Sequence, residues 1–318
     1  MDTKKQYLKI AHMYYVLGLT QDEIAKRLFM TRQKVNQVIH SLVDLDMITI
    51  SVNQFEERSL ALENELAEVF QINQAIVAEC FEDESDLLCW RNVIAAAARY
   101  LEETIRADSI IGVTWGNTIS GVIKNMPFRQ KNRCRVVQLM GVQNLDEPLL
   151  KSDEIARSLS EKLSCPCYML YAPLFVDSPQ TKKYLLKETR ILKVFELIKQ
   201  CDIAVVGIGE LNETSSLFRR NLIDTDLIQR LLKDGFCADV NVNLIKENGS
   251  YDGNWLNDRI ITTSIQDLKK IPNTVAVASG SNKIKAIVAA LNCGCINTLI
   301  TDNHTAQAVL DYYKHSKG

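Results

Sequence analysis

From about residue 72 onward, the sequence alternates short Val- and Ile-rich runs with longer stretches of helical periodicity. The runs QAIVAE (74–79), SIIGVTW (109–115), RVVQLMG (135–141), CDIAVVGIG (201–209), TVAVASG (274–280) and INTLITD (296–302) read as buried strands. The segments 89–106, 153–163, 181–200, 224–233, 282–292 and 303–313 read as helices. Strands that are apolar on both faces need cover on both faces, and helices lying between successive strands supply it. The alternation therefore predicts an α/β domain built on a mostly parallel sheet. No internal repeat or low-complexity segment interrupts it.

The first 54 residues follow another pattern. Leu8 to Leu17 carry apolar side chains on a helical period, with Gly18 as a stop. Thr20-Gln21-Asp22-Glu23 has the form of a capping box and opens a second helix. A third helix starts at Thr31 and buries Val35, Val38, Ile39 and Leu42, at i, i+3, i+4 and i+7. Its opposite face carries Arg32, Gln33, Lys34, Asn36, Gln37 and His40, long donors and amides suited to phosphates and base edges. MITISV (47–52) then alternates like a short strand or wing. Helix, helix, tight turn, helix and wing is the order of a winged helix-turn-helix. A solvated face on an all-helical packing module is the competing reading. The stretch from Ile24 to Val43 holds Lys26, Arg27, Arg32 and Lys34 and no acid, in a chain of net charge −2, and this one-signed, amide-rich surface favours DNA. Thr31, Arg32, Gln33, Lys34, Asn36 and Gln37 are the expected DNA contacts.

FEERSLALENELAEVF (55–70) reads as an acidic amphipathic helix, with Leu62, Leu66 and Val69 on one stripe. It is expected to link a DNA-binding domain, residues 1–54, to a domain over 55–318 that binds an effector and forms oligomers. Helix-turn-helix proteins usually occupy paired half-sites, so a homo-oligomer, dimer or tetramer, is the expected state.

Several classes of function are disfavoured. The N-terminus lacks the apolar core of a signal peptide, and the long uncharged stretch Ala286–Thr301 is interrupted by Asn292, Gly294 and Asn297, so a cytoplasmic protein is expected. The nine cysteines are scattered, and Cys165/Cys167 and Cys293/Cys295 are C-x-C pairs without a matching ligand cluster, so no metal site is expected. The four histidines are dispersed. Asp239, Glu210 and Asp302 lie near predicted strand ends, but spacing pairs none of them for acid–base work. The sequence has no nucleophile elbow, zincin motif or Walker loop, and VGIGEL (206–211) lacks the third glycine of a dinucleotide fingerprint. Neither catalytic residues nor a cofactor is expected.

In open α/β sheets, ligands lie beyond the carboxyl ends of the strands. Two loops there share one design. GVTWGNTI (112–119) ends a strand with Trp115, Gly116, Asn117 and Thr118 and then opens a helix whose free amides can hold an anion. ASGSNKIKAI (278–287) repeats this with Gly280, Ser281 and Asn282, and places Lys283 in a first helical turn, where the dipole disfavours a cation and an anionic ligand would offset it. Each loop alone is also compatible with a plain strand-to-helix turn. Together they point to a small phosphorylated molecule.

The sequence resembles the SorC family of bacterial sugar-responsive transcriptional regulators over nearly its whole length. The likeness rests on IAHMYYVLGLTQDEIAKRLFMTRQKVNQVI, IIGVTWGNTI, VVQLMG, YAPLFV, CDIAVVGIG, ADVNVNLIKENG, VAVASGSNKIKAIVAAL and NTLITDNHTAQAVL, in that order. The resemblance implies a winged helix-turn-helix joined to an effector domain with the fold of glucosamine-6-phosphate deaminase and ribose-5-phosphate isomerase. It also implies tetramers whose operator affinity responds to a phosphorylated sugar or sugar alcohol. By the same resemblance, the loop Trp115–Thr118 and Lys283 lie at the phosphate end of the effector, and Asp239 bonds its hydroxyls. The expected effector site is thus Trp115, Gly116, Asn117, Thr118, Asp239, Gly280 and Lys283.

The sequence also departs from the family. Phe29 stands where the turn between the two DNA-reading helices usually carries Gly or Asn, and a left-handed Phe costs about 1–2 kcal/mol, so either another turn or compensating packing is expected. Met140 stands where the deoxyribonucleoside regulator has a Schiff-base lysine. Ala238 replaces the glycine before the effector acid, and Leu244 and Ile245 replace an aromatic pair after it. The effector itself does not carry over.

Overall fold

The structure, a computed structural model, describes residues 3–45, 47–48, 54–81, 84–131, 133–142, 152–213, 215–220, 222–253 and 255–317. Helix α1 (Thr3–Ala11) begins earlier than its apolar period suggests, and it runs through a wider π-type turn, His12–Val16, to Gly18 at φ 64°. In the capping box that starts α2 (Gln21–Leu28), the Thr20 hydroxyl accepts from the Glu23 amide at 3.3 Å and Glu23 Oε2 accepts from the Thr20 amide at 2.8 Å. Helix α3 (Arg32–Asp44) follows a tight turn, with the Thr31 hydroxyl accepting from the Lys34 amide. Ile10, Ile24, Val35, Val38 and Leu42 form the core of these helices. Removing each such side chain from water contributes about 1.5–3 kcal/mol.

Phe29 corrects an expectation. It adopts φ 50° and ψ 46° at the end of α2, the same left-handed turn that Gly would make, and it is 98% exposed. Neither another turn nor packing relieves the strain. The amides of Phe29 and Met30 both reach the Ala25 carbonyl, which closes the end of α2. The expected wing falls mainly outside the described residues; Met47 and Ile48 pack on the three-helix core.

The chain divides into two compact units, Met1–Glu57 and Arg58–Gly318, with the division in the first turn of α4 (Gln54–Phe70). In the second unit, α4 sets Leu62 and Leu66 into the core.

The strands of the second unit are β1 (Gln74–Ala78), β2 (Ile110–Val113), β3 (Arg135–Gln138), β4 (Cys167–Tyr168), β5 (Ile203–Glu210), β6 (Phe236–Val240), β7 (Asn243–Lys246), β8 (Asn273–Val277) and β9 (Thr298–Asp302). Seven of them pair side by side in the order β1-β9-β8-β5-β2-β3-β4, all parallel. The helices are α5 (Asp86–Thr104), α6 (Asn117–Asn125), α7 (Ser152–Leu163), α8 (Pro179–Leu185), α9 (Thr189–Ile198), α10 (Ser216–Arg219), α11 (Thr225–Lys233), α12 (Ile265–Leu268), α13 (Ile284–Cys293) and α14 (Asn303–Lys317). Along β5, Ile203 and Val205 enter one core while Ala204, Val206 and Ile208 enter the other. Both faces are covered, which is why the strand shows no apolar–polar alternation.

Several elements differ from expectation, among them the short β4, α10 and α12, which the sequence pattern does not mark. The segment 181–200 is two helices, α8 and α9, broken around Lys187 and Glu188. β6 and β7 form an antiparallel hairpin on β5, turning through Asn241 and Val242 at φ 51° and 62°. Two positive φ values suit a hairpin turn, but a β-branched Val there is strained. A buried network holds it: Asp239 Oδ2 accepts from the Val242 amide, and Asn243 Nδ2 donates to the carbonyls of Val240, Asn241 and Thr263. Among the described residues, no helix is long and apolar enough to cross a membrane.

Candidate functional site

The carboxyl ends of β2, β5 and β8 open onto one cavity of about 250 Å³, lined by residues 114–119, 207–210, Asp239, Asn282 and Lys283, with Ser215, Arg219 and Asn241 among the remaining wall. This lies just below the roughly 300–1,000 Å³ of drug-sized sites, so it suits a small molecule. Gly116 and Gly280 precede the helical turns of their loops at φ 130° and 114°, conformations that glycine takes readily and other residues rarely do. After Gly116, α6 begins directly at Asn117, so the first amides of that helix face the cavity. Trp115 is buried beneath the Arg220 guanidinium, 4.5 Å from its ring, and the Thr118 hydroxyl accepts from Trp90 Nε1 at 3.4 Å.

Asp239 and Lys283 both line the cavity, and each acts on the other through its charge. Burial pushes the Asp239 carboxyl up to about 6, against the lowering pull of the Val242 amide and the Lys283 charge. Burial likewise lowers the Lys283 ammonium, while Asp239 and Glu210 favour its charge. Lys283 Nζ donates to the Ile208 carbonyl at 3.0 Å, so the protein itself meets part of the charge that the sequence assigned to a ligand. The lysine ends a 3₁₀ turn, Ser281–Lys283, rather than standing inside α13. Asn282 Nδ2 donates to the Glu210 carboxylate and ties this loop to the end of β5.

The structure thus brings Trp115, Gly116, Asn117, Thr118, Asp239 and Lys283 to one cavity. Gly280 lines an adjoining cavity of about 990 Å³, and its amide is bonded to the Thr305 hydroxyl at 2.9 Å. Asn117 and Asn282 face both spaces. A third cavity, about 580 Å³ between Lys182 and Gln266, holds none of the expected residues.

Sequence reading passed over Arg219, Arg220 and Gly209. The two arginines close a polar segment just after the Gly-rich end of β5, and that adjacency was the available signal. A side chain at Gly209 would overlap Asp239 Oδ1, so glycine there makes room for the carboxylate. Among the described residues, the ionisable groups lining the cavity are two cations, Arg219 and Lys283, and two anions, Glu210 and Asp239. Such a balanced wall can serve a ligand with both an anionic group and hydroxyl donors.

In the first unit, Thr31, Arg32, Gln33, Lys34 and Gln37 are all exposed along α3. Arg32 lies 3.6 Å from Asp22 in an exposed pair, and Lys34 Nζ donates to Gln37 Oε1 at 3.3 Å. Asn36 sits at the edge of this face, half-buried, with its Oδ1 accepting from Gln21 Nε2 of α2.

Comparison with known proteins follows the same division. The family described as "Putative sugar-binding domain" matches residues 56–311. The deoxyribonucleoside regulator of Bacillus subtilis is 29% identical over 98% of this chain and 99% of its own length. The erythritol catabolism regulatory protein EryD of Brucella abortus is 26% identical over 95% of each chain. Among solved structures, a DeoR family transcriptional regulator from Listeria monocytogenes superposes with TM-score 0.73 at 28% identity, over 79% of this chain and 99% of its own. The full-length sorbitol operon regulator SorC of Klebsiella pneumoniae shares the fold, at TM-score 0.72 and 20% identity over 98% of this chain and 99% of its own. With the sugar-binding domain matched across most of its length, and with these near-full-length relatives, the chain belongs to the SorC family of transcriptional regulators.

Proposed function

We propose that the protein is a winged helix-turn-helix regulator of a carbohydrate-catabolism operon, controlled by a phosphorylated sugar or sugar alcohol bound at the carboxyl ends of β2, β5 and β8. One observation carries this reading: a small cavity joins the open start of α6 to the buried pair of Asp239 and Lys283. The helix start and Lys283 receive the phosphate. Asp239 accepts from hydroxyls, with Trp115, Gly116, Asn117 and Thr118 shaping the phosphate end and Gly280 setting the loop before Lys283. Thr31, Arg32, Gln33, Lys34 and Gln37 meet DNA, with Asn36 positioned at the rim by Gln21. The protein acts as a cytoplasmic homo-oligomer on operator DNA without catalysing a reaction. Ligand occupancy shifts DNA affinity through unequal binding to two arrangements of the DNA-binding units.

The test is a thermal-shift screen with pentoses, hexoses and pentitols, each beside its phosphate ester. A ligand that prefers the native state raises the melting temperature. A phosphate ester is expected to stabilise where its parent sugar does not, and Lys283→Ala is expected to erase the difference. Equal shifts for ester and parent, or no shift with any member, would overturn the reading.

A second reading, a sugar-phosphate isomerase or deaminase fused to a DNA-binding unit, draws on the Asp239 carboxyl standing at about 6, a value suited to a general base. Turnover of ribose-5-phosphate or glucosamine-6-phosphate by the purified protein, lost in Asp239→Asn, would establish it.

A further inference from the structure

Away from the candidate effector pocket, the chain leaving β1 and the first turn of α5 bring together two sulfurs and a carboxylate. One ligand atom each from Cys80, Glu84 and Cys89 lies within 4.8 Å of the others. A tetrahedral ion with bonds of about 2.3 Å to sulfur and about 2.0–2.2 Å to oxygen needs its ligands roughly 3.5–3.8 Å apart, so modest side-chain closure would complete three corners. We propose that Cys80, Glu84 and Cys89 bind a thiophilic divalent cation of the zinc class, leaving a fourth position for water.

The support around each ligand is what a metal site requires. Cys80 is 4% exposed, and Asn303 clamps its backbone from both sides, accepting from its amide at 2.9 Å and donating to its carbonyl at 3.0 Å. Glu84 Oε2 accepts from the Phe81 amide at 3.2 Å and from Asn92 Nδ2 at 3.3 Å, and Asn92 also donates to the Glu79 carbonyl. The Cys89 amide is bonded to the Ser85 carbonyl in the first turn of α5, which holds its backbone.

The electrostatics agree. The carboxylates of Glu84 and Asp302 lie near enough to Cys80 to act on it through their charge. The same neighbours that oppose a bare thiolate favour a cation. Binding then proceeds by loss of one proton from each thiol to solvent as two sulfur–metal bonds form. Oxidation to a Cys80–Cys89 disulfide is the rival chemistry, since it draws on the same two thiols.

The position gives occupancy a consequence. Glu84 and Cys89 line the same cavity as Gly280. Asp302, beside Cys80, accepts from the Thr305 amide and hydroxyl at 2.7 and 2.6 Å, and that hydroxyl accepts from the Gly280 amide. An ion would therefore brace the loop that leads to Lys283.

The test is anaerobic titration of the reduced, tag-free, full-length protein with cobalt(II), followed by displacement with zinc(II). The expected result is near-ultraviolet thiolate-to-cobalt absorption that saturates at one ion per chain and is lost on adding zinc. Cys80→Ser and Cys89→Ser should each weaken cobalt binding by at least about 100-fold, and Asn92→Ala, which leaves the three ligands in place, by about 10-fold. Glu84→Gln provides a ligand variant at a half-exposed position should the buried cysteine variants fail to fold, and it should weaken binding by at least about 10-fold. Two results would overturn the proposal: no thiolate-to-cobalt band in the wild type, or a band that survives both cysteine changes.

Discussion

The exposed face of α3 and the walled cavity at the end of β5 both use cations, under opposite physical conditions. On α3, Arg32 and its partner Asp22 are 68% and 61% exposed, so water and salt screen their interaction and an exposed pair contributes about 0–1 kcal/mol. In the cavity, burial shifts Asp239 and Lys283 and makes each depend on the other. A surface of the first kind binds by many small, salt-sensitive contacts. A site of the second kind binds by a few groups whose removal is costly. Substitutions in the two regions should therefore differ in size, in salt dependence and in pH dependence.

Lys283→Ala should have the largest effect. Truncating the lysine of a buried charge pair with the ligand phosphate costs about 2–5 kcal/mol, so the stabilising sugar phosphate should lose roughly 30-fold or more in affinity by titration calorimetry, with DNA affinity unchanged. A parallel loss of DNA binding would merge the two regions and break the contrast. Asp239→Asn comes next and separates them by pH. The carboxyl stands at about 6 in the folded protein, above its ordinary 3.8. The folded state therefore keeps its proton longer, and the stability associated with it is complete below about pH 4 and lost as pH rises through about 6. The Asn variant lacks that loss. Its melting temperature should gain on the wild type between about pH 4 and 7, by an amount equivalent to about 1–3 kcal/mol. A constant difference across that range would contradict the buried carboxylate.

Lys34→Ala tests the exposed side. It should weaken binding to DNA duplexes of any sequence and lower the slope of log affinity against log salt by about 0.9, as measured by fluorescence anisotropy. An unchanged slope would remove Lys34 from the proposed DNA contacts. The smallest effect concerns the turn. Phe29→Asn keeps the left-handed turn with a residue that tolerates it, so melting of the first unit should stabilise by about 0.5–1 kcal/mol. Destabilisation would mean that the exposed ring contributes something its surroundings do not reveal.

Much of this architecture is legible in sequence because burial on both faces writes itself as uninterrupted Val and Ile, as in IAVVGI of β5 and TVAV of β8. The loops at Gly116 and Gly280 are legible because a glycine between a strand and a helix marks a positive-φ turn that other residues rarely make. What escaped detection depends on distant partners. The β6–β7 hairpin turns through Asn-Val, which lacks the glycine signal, and it is held by side chains such as Thr262, whose hydroxyl donates to the Asn241 carbonyl at 2.9 Å. The break between α8 and α9 has no proline or glycine to announce it. Gly280 resembles a cavity residue in sequence, yet its amide is taken up by Thr305 and it faces the neighbouring space. Cys80, Glu84 and Cys89 match no familiar ligand spacing, and only the turn into α5 brings them together.

The most direct experiment measures binding of the full-length protein to a DNA duplex it selects from a random pool, with and without a saturating sugar phosphate identified by thermal shift. For the wild type, the ligand should change the apparent Kd by about 5- to 150-fold, and for Lys283→Ala it should change nothing. Identical DNA affinity of the wild type with and without the bound ligand would contradict control of the α3 surface by the cavity.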